Sequence, residues 1–199
     1  MTMSNRVKGI ILLSGGLDST VSLAIAQKSV DVKLALTFDY GQKPVSKEKE
    51  AAQKIAGFYN IEYKEIQLPW LKELTNSDSL WVPNRNALFI NIAACYADQM
   101  SNLKYDRIII GANKEEAADF PDNSKEFIDN INQSLKKSTL HDIEVFAPLV
   151  NMDKKQIVQA GIEEGAPLEF VYSCYEGGEK HCGVCKSCIA NSPALLYKQ

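Results

Sequence analysis

The sequence predicts an α/β fold: an open, mostly parallel twisted sheet with helices on both faces, followed by a small C-terminal tail stapled by a metal. Three observations predict it. Short apolar runs alternate with segments whose apolar residues recur at helical spacing, the order that right-handed βαβ crossovers require. A Gly-Gly turn joins the first such run to the first helical segment at Ser14–Thr20. Four of the five cysteines crowd into Cys174–Cys188, where Gly, Cys and charged residues replace the helical pattern.

The elements follow in chain order. Ile10–Leu13 is a continuous apolar run, the pattern of a strand buried on both faces. Leu17, Val21, Ala24 and Ile25 then recur at helical spacing. Val32–Phe38 reads as a second strand, Ala51, Ala52, Ile55 and Ala56 mark a helix, and Ile61–Ile66 is a third strand. Asn86–Met100 is apolar nearly all round, the composition of a helix packed inside the protein. Arg107–Gly111 supplies another central strand. Asn123 with Glu126 resembles a capping box before the helix face Phe127, Ile131 and Leu135. Val145–Ala147 is a brief strand, and Asp153 with Gln156 starts a helix carrying Ile157, Ala160 and Gly161. The composition changes near Phe170, so residues 1–169 are expected to form the α/β domain and 170–199 the tail. No internal repeat or low-complexity tract interrupts this pattern.

Composition narrows the function classes. With 199 residues, 45% hydrophobic and 24% charged, the chain can bury a sizeable core. It has no run of about 18 uncharged apolar residues, which excludes a membrane helix. Twenty-two basic against 25 acidic side chains give a net charge of -3, whereas a protein held on nucleic acid by phosphate neutralisation carries a basic excess. No nucleic-acid or membrane partner is therefore expected. Met1–Lys8 lacks the apolar stretch of a secretory signal, so the expected compartment is the reducing cytoplasm. Cys95, in the apolar segment Ala87–Ala97, is expected to be a small buried residue, and the isolated His141 is expected at the surface.

Ser14-Gly15-Gly16-Leu17-Asp18-Ser19-Thr20 carries the strongest chemistry. Placed between a strand and a helix, its successive backbone N–H groups and the helix N-terminus form a cradle for anionic oxygens. Gly15 and Gly16 permit unusual dihedrals and close approach of phosphate, and Ser14, Ser19 and Thr20 add hydroxyls. Asp18 alone would repel phosphate, which points to a bridging Mg²⁺. Neither G-x-x-x-x-G-K-[ST] nor G-x-G-x-x-G is present, so a Walker loop is excluded and a dinucleotide reading weakened.

Cys174, Cys182, Cys185 and Cys188 are spaced C-x7-C-x2-C-x2-C. Four thiolates can close a tetrahedral site whose softness favours Zn²⁺, although Cys₄ also suits an iron–sulfur cluster. Four protein ligands leave no open position, so the expected role is structural. Such a site is worth roughly 10–16 kcal/mol in small metal-dependent peptides, and a tail of about 30 residues needs a comparable staple. His181 stands beside a ligand but is not required, since four cysteines satisfy zinc.

The S-G-G-x-D-S signature at Ser14–Ser19 resembles the PP-loop ATP pyrophosphatases. With the cysteine knuckle, and with Leu36–Gln42, Val82–Asn86, Phe120–Asp122 and Ser173-Cys174-Tyr175, the chain resembles the 7-cyano-7-deazaguanine synthase family over nearly its whole length. The resemblance implies an adenine nucleotide alpha hydrolase-like sheet and an AMP-forming, ATP-dependent carbon–nitrogen ligase. Such an enzyme turns 7-carboxy-7-deazaguanine and ammonia into a nitrile through an adenylated carboxylate and an amide. It also implies ATP, Mg²⁺ and Zn²⁺ as cofactors, small molecules as partners and a homodimer. ATP would meet Leu13, Ser14, Gly15, Gly16, Leu17, Asp18, Ser19, Thr20 and Val21, and Phe38, Tyr40, Gly41 and Gln42 would border the adenosine. Asp18, Ser19 and Arg85 are the candidate catalytic residues; Arg85, Asn86 and Asp122 would face the substrate. Arg85 and Asn86 also suit an exposed charge and an N-cap, and Asp122 suits a loop turn.

Three positions depart from the family pattern. Lys43-Pro44-Val45 stands where a basic stretch with histidine is usual, Asn123-Ser124 where Cys-Arg follows Pro-Asp, and no arginine follows Cys188 closely. Alternative readings are a deazapurine enzyme that stops at the amide, a tRNA sulfur-transferase that adenylates a base carbonyl, and a nucleotide sensor without turnover. Release of AMP with a small acid separates the enzymes from the sensor, and tRNA binding with a reactive cysteine would mark the sulfur-transferase.

Overall fold

Two apolar layers sandwich the sheet because its central strands send alternate residues to opposite sides. A computed structural model describes residues 6–75, 81–99 and 104–192. The expected helix end at Met100 and the tail beyond Ser192 lie outside them. Strands β1 (Val7–Leu12), β2 (Val30–Asp39), β3 (Glu62–Gln67), β4 (Tyr105–Ile109) and β5 (Glu144–Phe146) are all parallel and ordered β3-β2-β1-β4-β5. Ile10, Leu34, Leu36 and Ile108 pack against α3 (Arg85–Gln99) and α4 (Lys125–Ser138) through Phe89, Ile90, Ile128 and Leu135. Their neighbours Ile11, Ala35 and Ile109 pack against α1 (Leu17–Ala26) and α2 (Val45–Phe58) through Leu23, Ala52 and Ile55. A third cluster joins Leu17 and Val21 of α1 to Ile157 and Val158 of α5 (Lys154–Glu163). The short helix α6 (Lys186–Ala190) carries Cys188.

The edges are protected in ways that follow from sequence. β3 places Glu62, Lys64 and Gln67 along an exposed margin, and β5 is only three residues long. Sequence order reverses direction at β1, whose two neighbours are β2 and β4. In open parallel sheets ligands bind beyond the carboxyl ends of the strands at such a switch point. Among the described residues no helix is long and apolar enough to cross a membrane.

Three local readings need correction. Cys95 is exposed, because α3 lies on one face of the sheet and turns Asn91, Cys95 and Gln99 outward. An all-round apolar composition hides which stripe faces in. The cap of α4 is Ser124, whose Oγ accepts from the Phe127 amide at 3.1 Å; Asn123 lies one residue earlier in the turn that Pro121 opens. His141 is half-buried, its ring held between Asp98 Oδ1 at 3.0 Å and the Tyr105 carbonyl at 3.2 Å. By contrast, α5 starts as expected: Asp153 accepts from the Gln156 amide at 2.9 Å, and Gln156 Oε1 accepts from the Asp153 amide at 3.0 Å.

That capping box fixes where α5 begins, and with it the position of Lys154. We expect Asp153→Ala to lower stability by about 1 kcal/mol, the usual worth of an N-cap, read from the urea midpoint at unchanged slope. An unchanged midpoint would show that tertiary packing alone sets the helix start.

Candidate active site

The turn after β1 is the centre of the site. Gly15 adopts φ +79°, and a Cβ there would lie 2.6 Å from the Glu48 carbonyl oxygen and 2.8 Å from Ala51 Cβ of α2. No other residue fits. The loop hydroxyls tie it to itself: Ser19 Oγ and Thr20 Oγ1 donate to the Gly16 carbonyl at 3.1 and 2.8 Å, and Ser14 Oγ accepts from the Gly16 amide at 3.3 Å. Ser14 and Ser19 hydroxyls lie 3.1 Å apart. Leu13 and Leu17 turn buried side chains away, so they offer the loop only backbone. Val21, grouped with the loop by sequence, points instead into the contact with α5 and is fully buried, which removes it from the ligand surface.

Asp18 opens the first turn of α1, where three residues unnoticed in the sequence meet it. Its Oδ2 accepts from Lys154 Nζ at 2.5 Å and from Asn113 Nδ2 at 3.3 Å. Lys154 also pairs with Glu116 Oε1 at 3.2 Å, and Asn113 Oδ1 accepts from the Glu116 amide at 2.9 Å. The other oxygen of Asp18, Oδ1, is buried without a hydrogen-bond partner. Burial pushes the Asp18 carboxyl up to about 6, with Lys154 opposing and Glu116 assisting. For Lys154 burial alone would lower the ammonium, but Asp18 and Glu116 carry it above the ordinary lysine range. Lys154 therefore stays charged. A signal did exist in the sequence: a lysine in the first turn of a helix opposes the macrodipole, which favours acids there.

The carboxyl end of β2 forms the adjoining wall. Gln42 closes the turn, donating from Nε2 to the Phe38 carbonyl at 3.0 Å and to Glu48 Oε2 at 2.8 Å while its Oε1 accepts from the Tyr40 amide at 3.0 Å. Burial raises the Glu48 carboxyl, and the Gln42 amide opposes. Gly41 takes φ +79° in the same turn. Phe38 stacks on Phe89 with centroids 3.9 Å apart, and Tyr40 OH accepts from Arg85 Nη1 at 3.2 Å. Among the described residues no carboxylate lies within ion-pair distance of Arg85. Asp122 Oδ2 accepts from the Asn86 amide at 3.1 Å, and Asn86 Nδ2 donates to the Asp122 carbonyl at 3.0 Å, so these two join the start of α3 to the loop before α4. Arg85 and Asp122 line a small cleft with Val82, Trp81 and Phe120, whose rings are parallel with centroids 5.7 Å apart.

The four tail cysteines converge, their sulfurs all within 4.8 Å of one another. A tetrahedral zinc with bonds of about 2.3 Å separates its sulfurs by roughly 3.8 Å, so this set fits a metal after a small contraction. Amides of Cys182, Cys185 and Cys188 donate to the sulfurs of Cys174, Cys182 and Cys185 at 3.4, 3.3 and 3.4 Å. Burial drives the Cys188 thiol up to about 12, whereas at Cys174 burial is outweighed by amide donors that bring it down to about 6. His181 stays outside the cluster and accepts from the Ser173 amide at 3.3 Å. The tail also touches the phosphate loop: the Tyr172 amide donates to the Gly15 carbonyl at 2.9 Å, and Ser173 Oγ accepts from the Leu17 amide at 3.2 Å.

Comparison with known proteins bears on this arrangement. The family model described as "Queuosine biosynthesis protein QueC" matches residues 8–80 and 75–198. A 7-cyano-7-deazaguanine synthase of Carboxydothermus hydrogenoformans is 45% identical, covering 92% of this chain and 95% of that protein. Another from Methanosarcina mazei is 39% identical, covering 95% and 94%. Among solved structures, an NMN synthetase from Francisella tularensis superposes with TM-score 0.57 at 21% identity, covering 96% of this chain and 77% of that one. A 4-thiouridine synthetase solved with RNA and bound ATP gives TM-score 0.57 at 20% identity, covering 89% and 45%. At that identity the solved structures share the fold.

The fit of Gly15 against α2 leads to a direct expectation. Gly15→Ala must strain both φ and the Glu48 contact, and should lower stability by about 1–3 kcal/mol in urea unfolding. A midpoint equal to that of the parent would show that the loop and α2 separate without cost.

Proposed function

We propose that this chain, which belongs to the QueC family of 7-cyano-7-deazaguanine synthases, uses ATP to convert 7-carboxy-7-deazaguanine and ammonia into the nitrile that enters queuosine and archaeosine synthesis. The observation that carries the reading is the self-tied loop Ser14–Thr20, with one unpartnered oxygen of Asp18 buried beside the Lys154 ammonium. That combination suits a polyphosphate with a cation.

In this reading the β- and γ-phosphates lie against the amides and hydroxyls of Ser14, Gly15, Gly16, Ser19 and Thr20, and the positive end of α1 stabilises them. Asp18 Oδ1 fits Mg²⁺, which when bound neutralises phosphate charge and favours departure of pyrophosphate. Lys154 offers a second, fixed positive charge. Phe38, Tyr40, Gly41 and Gln42 border the adenosine. Arg85 holds the substrate carboxylate near the α-phosphate, Asp122 accepts from the N–H edge of the deazaguanine, and Trp81 and Phe120 bound its plane.

A carboxylate oxygen attacks the α-phosphorus and pyrophosphate leaves. Ammonia then attacks the acyl carbon, AMP leaves with the carboxyl oxygen, and an amide and a proton result. The amide oxygen attacks the α-phosphorus of a second ATP, pyrophosphate leaves again, and loss of AMP and the nitrogen-bound protons gives the nitrile. Both rounds need the same geometry, an oxygen in line with one α-phosphorus, so one site serves twice. The cysteine set suits zinc in a closed structural role, since four thiolates leave no position for substrate.

Two outcomes test this. Mass spectrometry of a reaction with ATP, Mg²⁺, ammonium and 7-carboxy-7-deazaguanine should reveal the nitrile and AMP, and Asp18→Asn should lower pyrophosphate release at least about 100-fold. No AMP with this acid would remove the assignment, an amide end product would truncate it, and an active Asp18→Asn would remove the aspartate from the cation site. Elemental analysis should find one zinc per chain, absent from Cys188→Ser together with stability of several kcal/mol. An iron-containing chromophore in the purified protein would instead identify a cluster.

A further inference from the structure

Beside the metal-holding Cys174 stands Ser173, to which the reaction above gives no role. Ser173 touches the loop that precedes α1. The N-cap of α1 is Gly16, which has no side chain to accept from the first amides of the helix. The missing acceptor comes from 156 residues away: Ser173 Oγ lies 3.2 Å from the Leu17 amide. A hydroxyl that accepts one hydrogen bond still donates one. Ser173 can therefore take up the amide and turn its own proton toward an anion in the loop, while the glycine cap leaves space for that anion.

Ser173 is held from both sides. Tyr172 donates its amide to the Gly15 carbonyl at 2.9 Å, and Cys174, 1% exposed, belongs to the thiol cluster. The Ser173 amide is fixed by His181, whose ring rests on that of Tyr172 at 5.0 Å. Tyr172 OH donates to the Gly178 carbonyl at 2.7 Å inside the knuckle. The outer ties, Lys43 to Glu176, Lys47 to Glu179 at 2.6 Å and Lys186 to Asp119, are largely exposed ion pairs of the kind worth little individually. Val171 and Tyr172 anchor the segment upstream, in the clusters with Leu17 and Ala51, and from Cys174 onward its register at Ser173 is set by closure of the four cysteines.

We propose that Ser173 is a positioning residue of the phosphate loop, and that metal at Cys174, Cys182, Cys185 and Cys188 and nucleotide at Ser14–Thr20 bind with positive linkage through it. The proposal rests on the reading that this loop takes the phosphates of ATP. Linkage is reciprocal: the factor by which metal tightens ATP is the factor by which ATP tightens metal. A metal site usually regarded as a passive staple then sets the nucleotide affinity.

The test uses the purified, metal-loaded protein and MgATP, without turnover. Calorimetric titration should give Ser173→Ala an ATP affinity about 5- to 20-fold weaker, the scale of one cap hydrogen bond, with metal content unchanged. Ser173→Thr, which keeps the hydroxyl, should bind within about threefold of the parent. In parallel, metal released to a chromophoric chelator should slow several-fold when ATP saturates the parent, and slow less in Ser173→Ala. Release from the parent needs no variant, so the proposal stays testable if Ser173→Ala fails to fold. Parent-like ATP affinity in Ser173→Ala, loss of its metal, or release indifferent to ATP would each overturn the inference while leaving the loop assignment intact. A parent protein that binds no ATP would overturn that assignment and the inference together.

Discussion

The close packing of the β1–α1 turn against its neighbours is the constraint on which the site depends. Gly15 leaves no room for a side chain between the loop and α2, and Gly111, just beyond β4, leaves none between that strand and the loop: a Cβ there would lie 2.9 Å from the Ser19 amide. The turn is clamped from both flanking strands' connections, and the hydroxyls of Ser19 and Thr20 tie it to its own carbonyl at Gly16. The Gly16 and Leu17 amides are likewise held, by the Ser14 and Ser173 hydroxyls, so the start of α1 is a set of donors already fixed in place. A rigid row of donors needs little reorganisation when an anion arrives, which is what makes such a cradle effective.

Electrostatics are balanced around that row rather than inside it. Asp18 and Glu116 would be costly to hold ionised so close together without Lys154, and Lys154 would be costly to bury without them. The helix macrodipole opposes a buried cation at the start of α5 by at most about 2 kcal/mol, whereas removing one partner of a buried pair typically costs about 3–5 kcal/mol. The ion pair decides the matter. It also leaves Asp18 with one oxygen committed and one uncommitted, so the aspartate can take a cation without releasing the lysine.

How much of this was legible follows from sequence separation. The strands could be read because burial on both faces leaves a continuous apolar run, and the loop because its glycines, hydroxyls and acid are adjacent. The cysteines announced themselves by spacing. The partners of Asp18 did not, since Asn113 and Lys154 lie 95 and 136 residues away and only the sheet's switch point brings them together. Ser173 was visible as part of a motif but not as the cap of a helix 156 residues earlier. The inward face of α3 was illegible for a different reason: when almost every residue is apolar, periodicity carries no phase, and Cys95 fell on the wrong side.

Two of the three departures from the family pattern can be traced to local structure. Lys43-Pro44-Val45, in place of a basic stretch with histidine, serves the junction with the tail. Pro44 is the N-cap of α2, the Lys43 ammonium pairs with Glu176, and the Lys43 carbonyl lies where Gly177 alone can pass, 2.6 Å from where a Cβ would stand. Asn123-Ser124, in place of Cys-Arg, is likewise occupied by the fold: Ser124 caps α4, and Asn123 Nδ2 lies 3.4 Å from Asp122 Oδ1. That contact supports the very carboxylate assigned to the substrate. Both stretches are therefore engaged by the fold itself. A chain built in this way keeps the Asp122 carboxylate and the Arg85 guanidinium together in one cleft.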